Sequence, residues 1–167
     1  KLLARFLYQW GESHEWHLAD IQTGGLHNAI PREATCTVAV KTADKETMRV
    51  AWNIFAAEME EEFGAVEHTM AFDLESTTLG SDIIPDSTSH PLIAAMWAVH
   101  NGVLAMCQGI DLVETSSNLA SVRVTEAGVI KVTTSQRSSV ASAREGISSM
   151  VRATFSMAGG KCETGES

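Results

Sequence analysis

The apolar residues of this chain repeat with two different periods, and the switching between them restricts the fold to helices layered on a sheet. Leu2, Leu3, Phe6, Leu7 and Trp10 share one face at helical spacing, and Gly11 closes that run. A short extended pattern follows from Trp16 to Gln22, and Cys36, Val38 and Val40 then alternate with polar neighbours as a half-buried strand. Asp44 is placed to cap a helix whose stripe is Met48, Ala51, Trp52, Phe55, Met59 and Phe63, with Gly64 as its stop. Val66, His68, Met70, Phe72 and Leu74 alternate with Glu67, Thr69, Asp73 and Glu75, which predicts a strand with His68 as a hydrogen-bonded core histidine.

Thr77 to Ser89 is polar and reads as a connector. Pro91 suits the first turn of a helix carrying Leu92, Ile93, Met96, Trp97 and Val99, with Gly102 at its end. Val103 to Asp111 is ambiguous. Val113–Thr125 and Val129–Thr134 form a predicted hairpin turning at Glu126-Ala127-Gly128, and a last helix runs from Ser139 to Ala158 before Gly159-Gly160. The order helix, strand, strand, helix, strand thus occurs twice, over 1–76 and 86–167. The expectation is an α+β two-layer sandwich, an antiparallel sheet with about four helices on one face, built as ferredoxin-like halves in tandem within one domain, 1–167. The chain begins inside a helical pattern and stops at the start of a further extended one, so it reads as a piece excised from a longer protein, with the first strand of the sheet just before Lys1.

Composition excludes more than it identifies. A chain of 167 residues with 44% hydrophobic content can bury a core, and a net charge of −9 argues against a nucleic-acid partner. No apolar run reaches the ~20 residues that span a bilayer, and no signal peptide is recognisable. Cys36, Cys107 and Cys162 are odd in number and far apart, as expected of reduced thiols in a cytoplasmic protein. Glu58, Glu60, Glu61 and Glu62 scatter around a helix and read as a solvated face. The six histidines make no metal-ligand spacing: His14 and His17 are three apart, but Gly11 ends the helix before them. Neither a nucleophile elbow nor a phosphate loop is present, so no arrangement for hydrolysis is visible in this chain.

Between the first two strands lies Gly24-Gly25-Leu26-His27-Asn28-Ala29-Ile30-Pro31-Arg32-Glu33-Ala34, where almost nothing is chosen for packing. Its chemistry alone fits a turn with a charged rim. The run Asn28–Ala34 after paired glycines resembles a signature of the bacterial aminoacyl-histidine dipeptidases (Xaa-His dipeptidases, peptidase D), di-zinc metallopeptidases. Lys1–Leu7, Val113–Asn118 and Gln136–Ser139 resemble three further lid segments of that family, in the family's order.

The resemblance implies that this chain is the lid and dimerisation domain of such an enzyme, acting on Xaa-His and similar dipeptides. Two zinc ions and a glutamate base would belong to a separate catalytic domain, with no metal bound here, and the family's members are homodimers that associate through this domain. The family's lid arginine, which binds the substrate carboxylate, matches Arg137, and its lid asparagines match Asn28 and Asn118. His27 departs from the basic residue often found there and carries no role over. On its own chemistry, Arg137 stands before the expected N-cap Ser139, where backbone N–H groups and a guanidinium fork would converge on a carboxylate; solvent exposure or an acidic partner is the plain alternative. Two other functions remain: a stand-alone ferredoxin-like module binding a small acid to regulate a partner, and a purely structural dimerisation domain.

Overall fold

The computed structural model describes residues 1–23, 33–66, 70–80 and 82–165. Its elements are α1 (Leu2–Gly11), β1 (Trp16–Thr23), β2 (Ala34–Val40), α2 (Lys45–Phe63), α3 (Asp86–Ala98), β3 (Gly102–Met106), β4 (Val113–Val124), β5 (Ile130–Ser138) and α4 (Ala141–Met157). The five strands make one antiparallel sheet, so the expected α+β sandwich is the fold observed. Strand β4 is its hub. One edge pairs with β5 from Thr115 to Val124; the other pairs with β3 over Val113–Ser117 and with β1 at Val122 and Arg123.

The helices line up as α2, α1, α3 and α4, each touching the next, over β2, β1, β4 and β5. Leu18 and Ile21 of β1 and Leu119 and Val122 of β4 are buried in the same core as residues of all four helices. At its centre Phe6 meets Trp52 edge-on at 4.9 Å and Phe55 at 5.4 Å. Gly11 is the last residue of α1, and the Trp16 indole occupies the space a Cβ there would need.

Several boundaries differ from expectation. No strand covers 70–80: Met70 to Glu75 is unpaired, and Phe72 instead packs on Trp52 and Phe55 at 5.7 and 6.0 Å. Alternation gives a chain two faces but makes a strand only where a neighbour offers its edge. His68 lies outside the described residues. Helix α3 begins at Asp86, so Pro91 is an interior residue and not part of the first turn. The amides of Thr88 and Ser89 donate to the Pro85 carbonyl at 2.9 and 3.0 Å, starting the helix a turn earlier. The ambiguous stretch after Gly102 contains β3, and β5 continues past Thr134 to Ser138. Asp44 occupies the N-cap position of α2 without a side-chain cap bond.

Glu62 is not simply solvated. Arg5 of α1 reaches it with two parallel bonds of 2.9 and 2.8 Å, and this hydrogen bonding holds the Glu62 carboxyl below its ordinary range.

Two predictions follow from this packing. Phe6→Ala should destabilise the fold by about 3–5 kcal/mol in urea unfolding, because its neighbours come from two helices that cannot both close the gap. Glu62 titrates lower folded than unfolded, so the stabilisation it contributes is present at neutral pH and is lost as pH falls through its depressed value. Glu62→Gln should therefore flatten the acid limb of a stability–pH curve while leaving its alkaline limb unchanged.

Candidate functional site

The sheet has one covered face and one open face, and β-strand alternation assigns each side chain to one of them. On β4, Thr115, Ser117, Leu119 and Val122 point inward and are 1%, 3%, 6% and 0% exposed. Glu114, Ser116, Asn118, Ser121 and Arg123 are the more accessible set. The change of parity between Leu119 and Val122 comes from a bulge at Ala120, where β4 has one residue more than β5. The Asn101 side-chain oxygen accepts the Leu119 amide at 2.7 Å beside that bulge. Strand β1 has the same device at Ala19, between Leu18 and Asp20.

Register then places the expected site residues. Arg137 sits opposite Ser116, and Asn118 opposite Ser135, on adjacent outward rungs. Arg137 and Asn118 are diagonal neighbours, about 7–8 Å apart at the backbone in such a ladder. Asn28 lies outside the described residues. Strand β1 ends at Thr23 and β2 begins at Ala34, and the Thr23 hydroxyl donates to the Glu33 carbonyl at 2.9 Å. A recess of about 350 Å³ opens between those strand ends, lined by Gln22, Thr23, Glu33, Ala34 and Thr35. Arg137 and Asn118 are not part of it; they form an open rung, not a cavity.

Arg137 is not at a helix N-terminus. It lies within β5, and the N-cap of α4 is Val140, three residues later and without a side-chain cap. The reason is a chain of bonds that carries the strand through to Ser138. The Val140 amide donates to the Ser138 hydroxyl at 3.1 Å, that hydroxyl lies 2.9 Å from the Thr115 hydroxyl, and Thr115 donates to the Glu114 carboxylate at 3.2 Å. The Ser139 amide donates to the Glu114 carbonyl at 3.1 Å, and the Gln136 amide group donates to the Ser117 hydroxyl at 3.1 Å. Gln136 and Ser138 are thus bonded on the covered side, which leaves Arg137 outward. Its side chain is exposed and has no hydrogen bond or ion pair among the described residues.

The same face holds two cations that sequence reasoning passed over. Arg123 pairs directly with Lys131 across the ladder, next to Gln22 of β1, and both are exposed. Their shared rung depends on the Ala120 bulge, which no periodicity shows.

Chemically, this face can hold an anion. A guanidinium fork flanked by Ser116, Asn118 and Ser135 offers several donors to a carboxylate. Among the described residues no three His, Cys, Asp or Glu side chains converge in a way that could hold a metal ion. His14 stacks on Trp10 at 3.6 Å, whereas His17 binds Asp86 at 2.9 Å, so the two histidines serve different joints. The Cys36 thiol is pushed up to about 11 by burial, aided by the Asp20 carboxylate, and is therefore no thiolate at neutral pH. No helix is long and apolar enough to cross a membrane, among the described residues.

Comparison with known proteins gives two close parallels. The chain is 30% identical over 166 residues to the cytosol non-specific dipeptidase of Escherichia coli (strain K12), covering 98% of this chain and 34% of that protein. It superposes with a TM-score of 0.90 and 29% identity on the crystal structure of aminoacylhistidine dipeptidase from Vibrio alginolyticus, covering 95% of this chain and 32% of that one. The chain therefore spans about a third of the length of these relatives. No protein-family profile matches it.

The thiols offer a simple check. Alkylation at pH 8 should modify exposed Cys162 first and Cys36 last, by mass mapping after a timed quench, with Cys36 reacting only once the fold is opened by denaturant.

Proposed function

We propose that this chain, homologous to a third of two bacterial dipeptidases, is the lid and dimerisation domain of a zinc-dependent dipeptidase hydrolysing Xaa-His and similar dipeptides. One observation carries the reading: Arg137, exposed and unpaired among the described residues, shares an open sheet face with Asn118. The length of the relatives supports the idea that the remaining machinery lies elsewhere.

In this reading Arg137 takes the free carboxylate of the dipeptide with two parallel N–H bonds. Asn118 and Ser116 lie beside it to fix the orientation of the C-terminal residue. Asn28, on the connection between β1 and β2, makes a polar contact to the peptide or to the oxygen that becomes tetrahedral. Holding both ends of a short substrate removes much of the entropic barrier and excludes longer peptides. Two zinc ions held by a separate catalytic domain would supply an activated water at neutral pH. This chain's part is to bind, orient and cover the substrate.

The protein would act in the cytoplasm as a homodimer. The outer edge of β3 supports self-association: it is unpaired among the described strands, and Leu104, Ile110 and Leu112 beside it are 46%, 58% and 60% exposed. A stand-alone acid-binding module would need a closed ligand cavity, and the open rung around Arg137 offers less of one. The partners expected are a dipeptide, the catalytic domain and a second copy.

Arg137→Ala in the full-length enzyme should lower kcat/KM on dipeptides by roughly 10- to 100-fold, the value of a charge-assisted hydrogen bond. A dipeptide amide, lacking the charge, should be nearly indifferent to the substitution. Unchanged turnover of free-carboxylate dipeptides would sink the assignment.

A further inference from the structure

The rung that holds Arg137 does not end at β4. Ser116 pairs with Arg137 on one side and with Val103 of β3 on the other. Directly opposed residues of antiparallel strands point to the same face, so Val103, Ser116 and Arg137 stand in a row on the open side. Two strand spacings separate the outer members, about 10 Å between their backbones. The side chain between them is a serine, small enough to leave the space above the rung clear.

Val103 is 49% exposed, and it is not alone. Beyond the Ala105–Thr115 pair, after two register irregularities, Met106 pairs with Val113, and these two are 45% and 48% exposed. The remainder of the open face on β4 and β5 is Ser, Thr, Asn, Arg, Lys and Glu114. Apolar surface and an unpaired cation thus lie on one otherwise polar sheet face. The one acid nearby, Glu114, takes the Thr115 hydroxyl at 3.2 Å.

We propose that Val103, Ser116 and Arg137 form a two-part subsite for the C-terminal residue of the substrate. Arg137 holds the α-carboxylate, and Val103, extended by Met106 and Val113, takes the apolar surface of the C-terminal side chain, an aliphatic chain or the ring of the histidine in an Xaa-His dipeptide. The enzyme therefore prefers dipeptides ending in Leu, Ile, Val, Met or His over those ending in an acidic residue. This rests on the reading of Arg137 as the carboxylate anchor, and it adds a determinant of selectivity that the anchor alone does not provide. Charge and apolar surface lie side by side here as they do in a C-terminal aliphatic residue, which is why the occupant is a peptide end and not an inorganic anion.

The test uses the full-length enzyme and three substrates that differ only at the C-terminal residue: Ala-Leu, Ala-Gly and Ala-Asp. Val103→Thr keeps the shape of the side chain and the strand propensity. It should lower kcat/KM for Ala-Leu by about 5- to 20-fold and leave Ala-Gly within twofold. Val103→Lys should raise kcat/KM for Ala-Asp relative to Ala-Leu by at least tenfold. Equal loss on all three substrates, or no loss on any, overturns the proposal. So does conversion of Val103→Lys to a monomer in sedimentation with its selectivity unchanged, which would assign the apolar group to a subunit contact. Arg137→Ala is run alongside: if it lowers all three while the Val103 variants are not selective, the subsite fails and the carboxylate anchor stands. If Arg137→Ala changes nothing, the anchor itself is wrong.

Discussion

Strand β4 is hydrogen-bonded along both edges, and its register decides what every other strand presents to the core and to the open face. Because side chains alternate with period two, a slip of one residue would carry Thr115, Ser117 and Leu119 outward and bring Ser116 and Asn118 beneath the helices. Three strands read their register from this one. β5 follows it for its full length, β3 pairs with its Val113–Ser117 end, and β1 touches it only at Val122 and Arg123. The two ends of the molecule therefore communicate through a seam of two residue pairs, backed by the packing of α1 against α3. Farther along β1, Ile84 ties the segment before α3 to that strand: its amide donates to the Leu18 carbonyl at 2.7 Å, on a residue only 8% exposed.

Two small residues make the arrangement possible. Ala19 and Ala120 each occupy a bulge, and both are buried, at 7% and 0% exposure. A larger side chain at either point would have to be accommodated in already filled space. Each bulge reverses which parity faces inward. Without it, Asn118 would share a face with Val122 and Val124, and one of the two sets would have to be placed wrongly.

That reversal explains what could be read in advance and what could not. The stripes on α1 and α2 were legible because helical spacing survives local irregularity: Phe6, Trp10, Met48, Trp52, Phe55 and Met59 are all buried. The hairpin at Glu126–Gly128 was legible because Gly128, at φ 77°, takes a conformation open to glycine at little cost. Met70–Glu75 misled because its alternation is as clean as that of a real strand, while the aromatic contact of Phe72 with Trp52 and Phe55 is a long-range fact. The neighbours of Arg137 were legible only in part. The resemblance singled out the residue and Asn118, but its own local logic, a cation before a helix, was wrong, since Ser138 bonds inward and extends β5. Val103 carried no signal at all, because its place depends on pairing with Ser116 across an irregular ladder.

The distribution of charge points the same way as the register. The chain carries a formal net charge of −9, yet the outward face of the β4–β5 hairpin gathers Arg123, Lys131 and Arg137, none of them in an ion pair among the described residues. Arg123 and Lys131 face each other directly across the ladder, an arrangement that costs stability when nothing neutralises it. Acids are plentiful elsewhere: Glu46 serves Arg49, Glu62 serves Arg5, and Glu145 serves Arg152. Those pairs all lie on helices. Three of the helical cations are thus paired within the chain, while the three on the open sheet face have no acidic partner among the described residues. A face that keeps its positive charge uncompensated in an acidic protein is suited to meet negative charge from elsewhere.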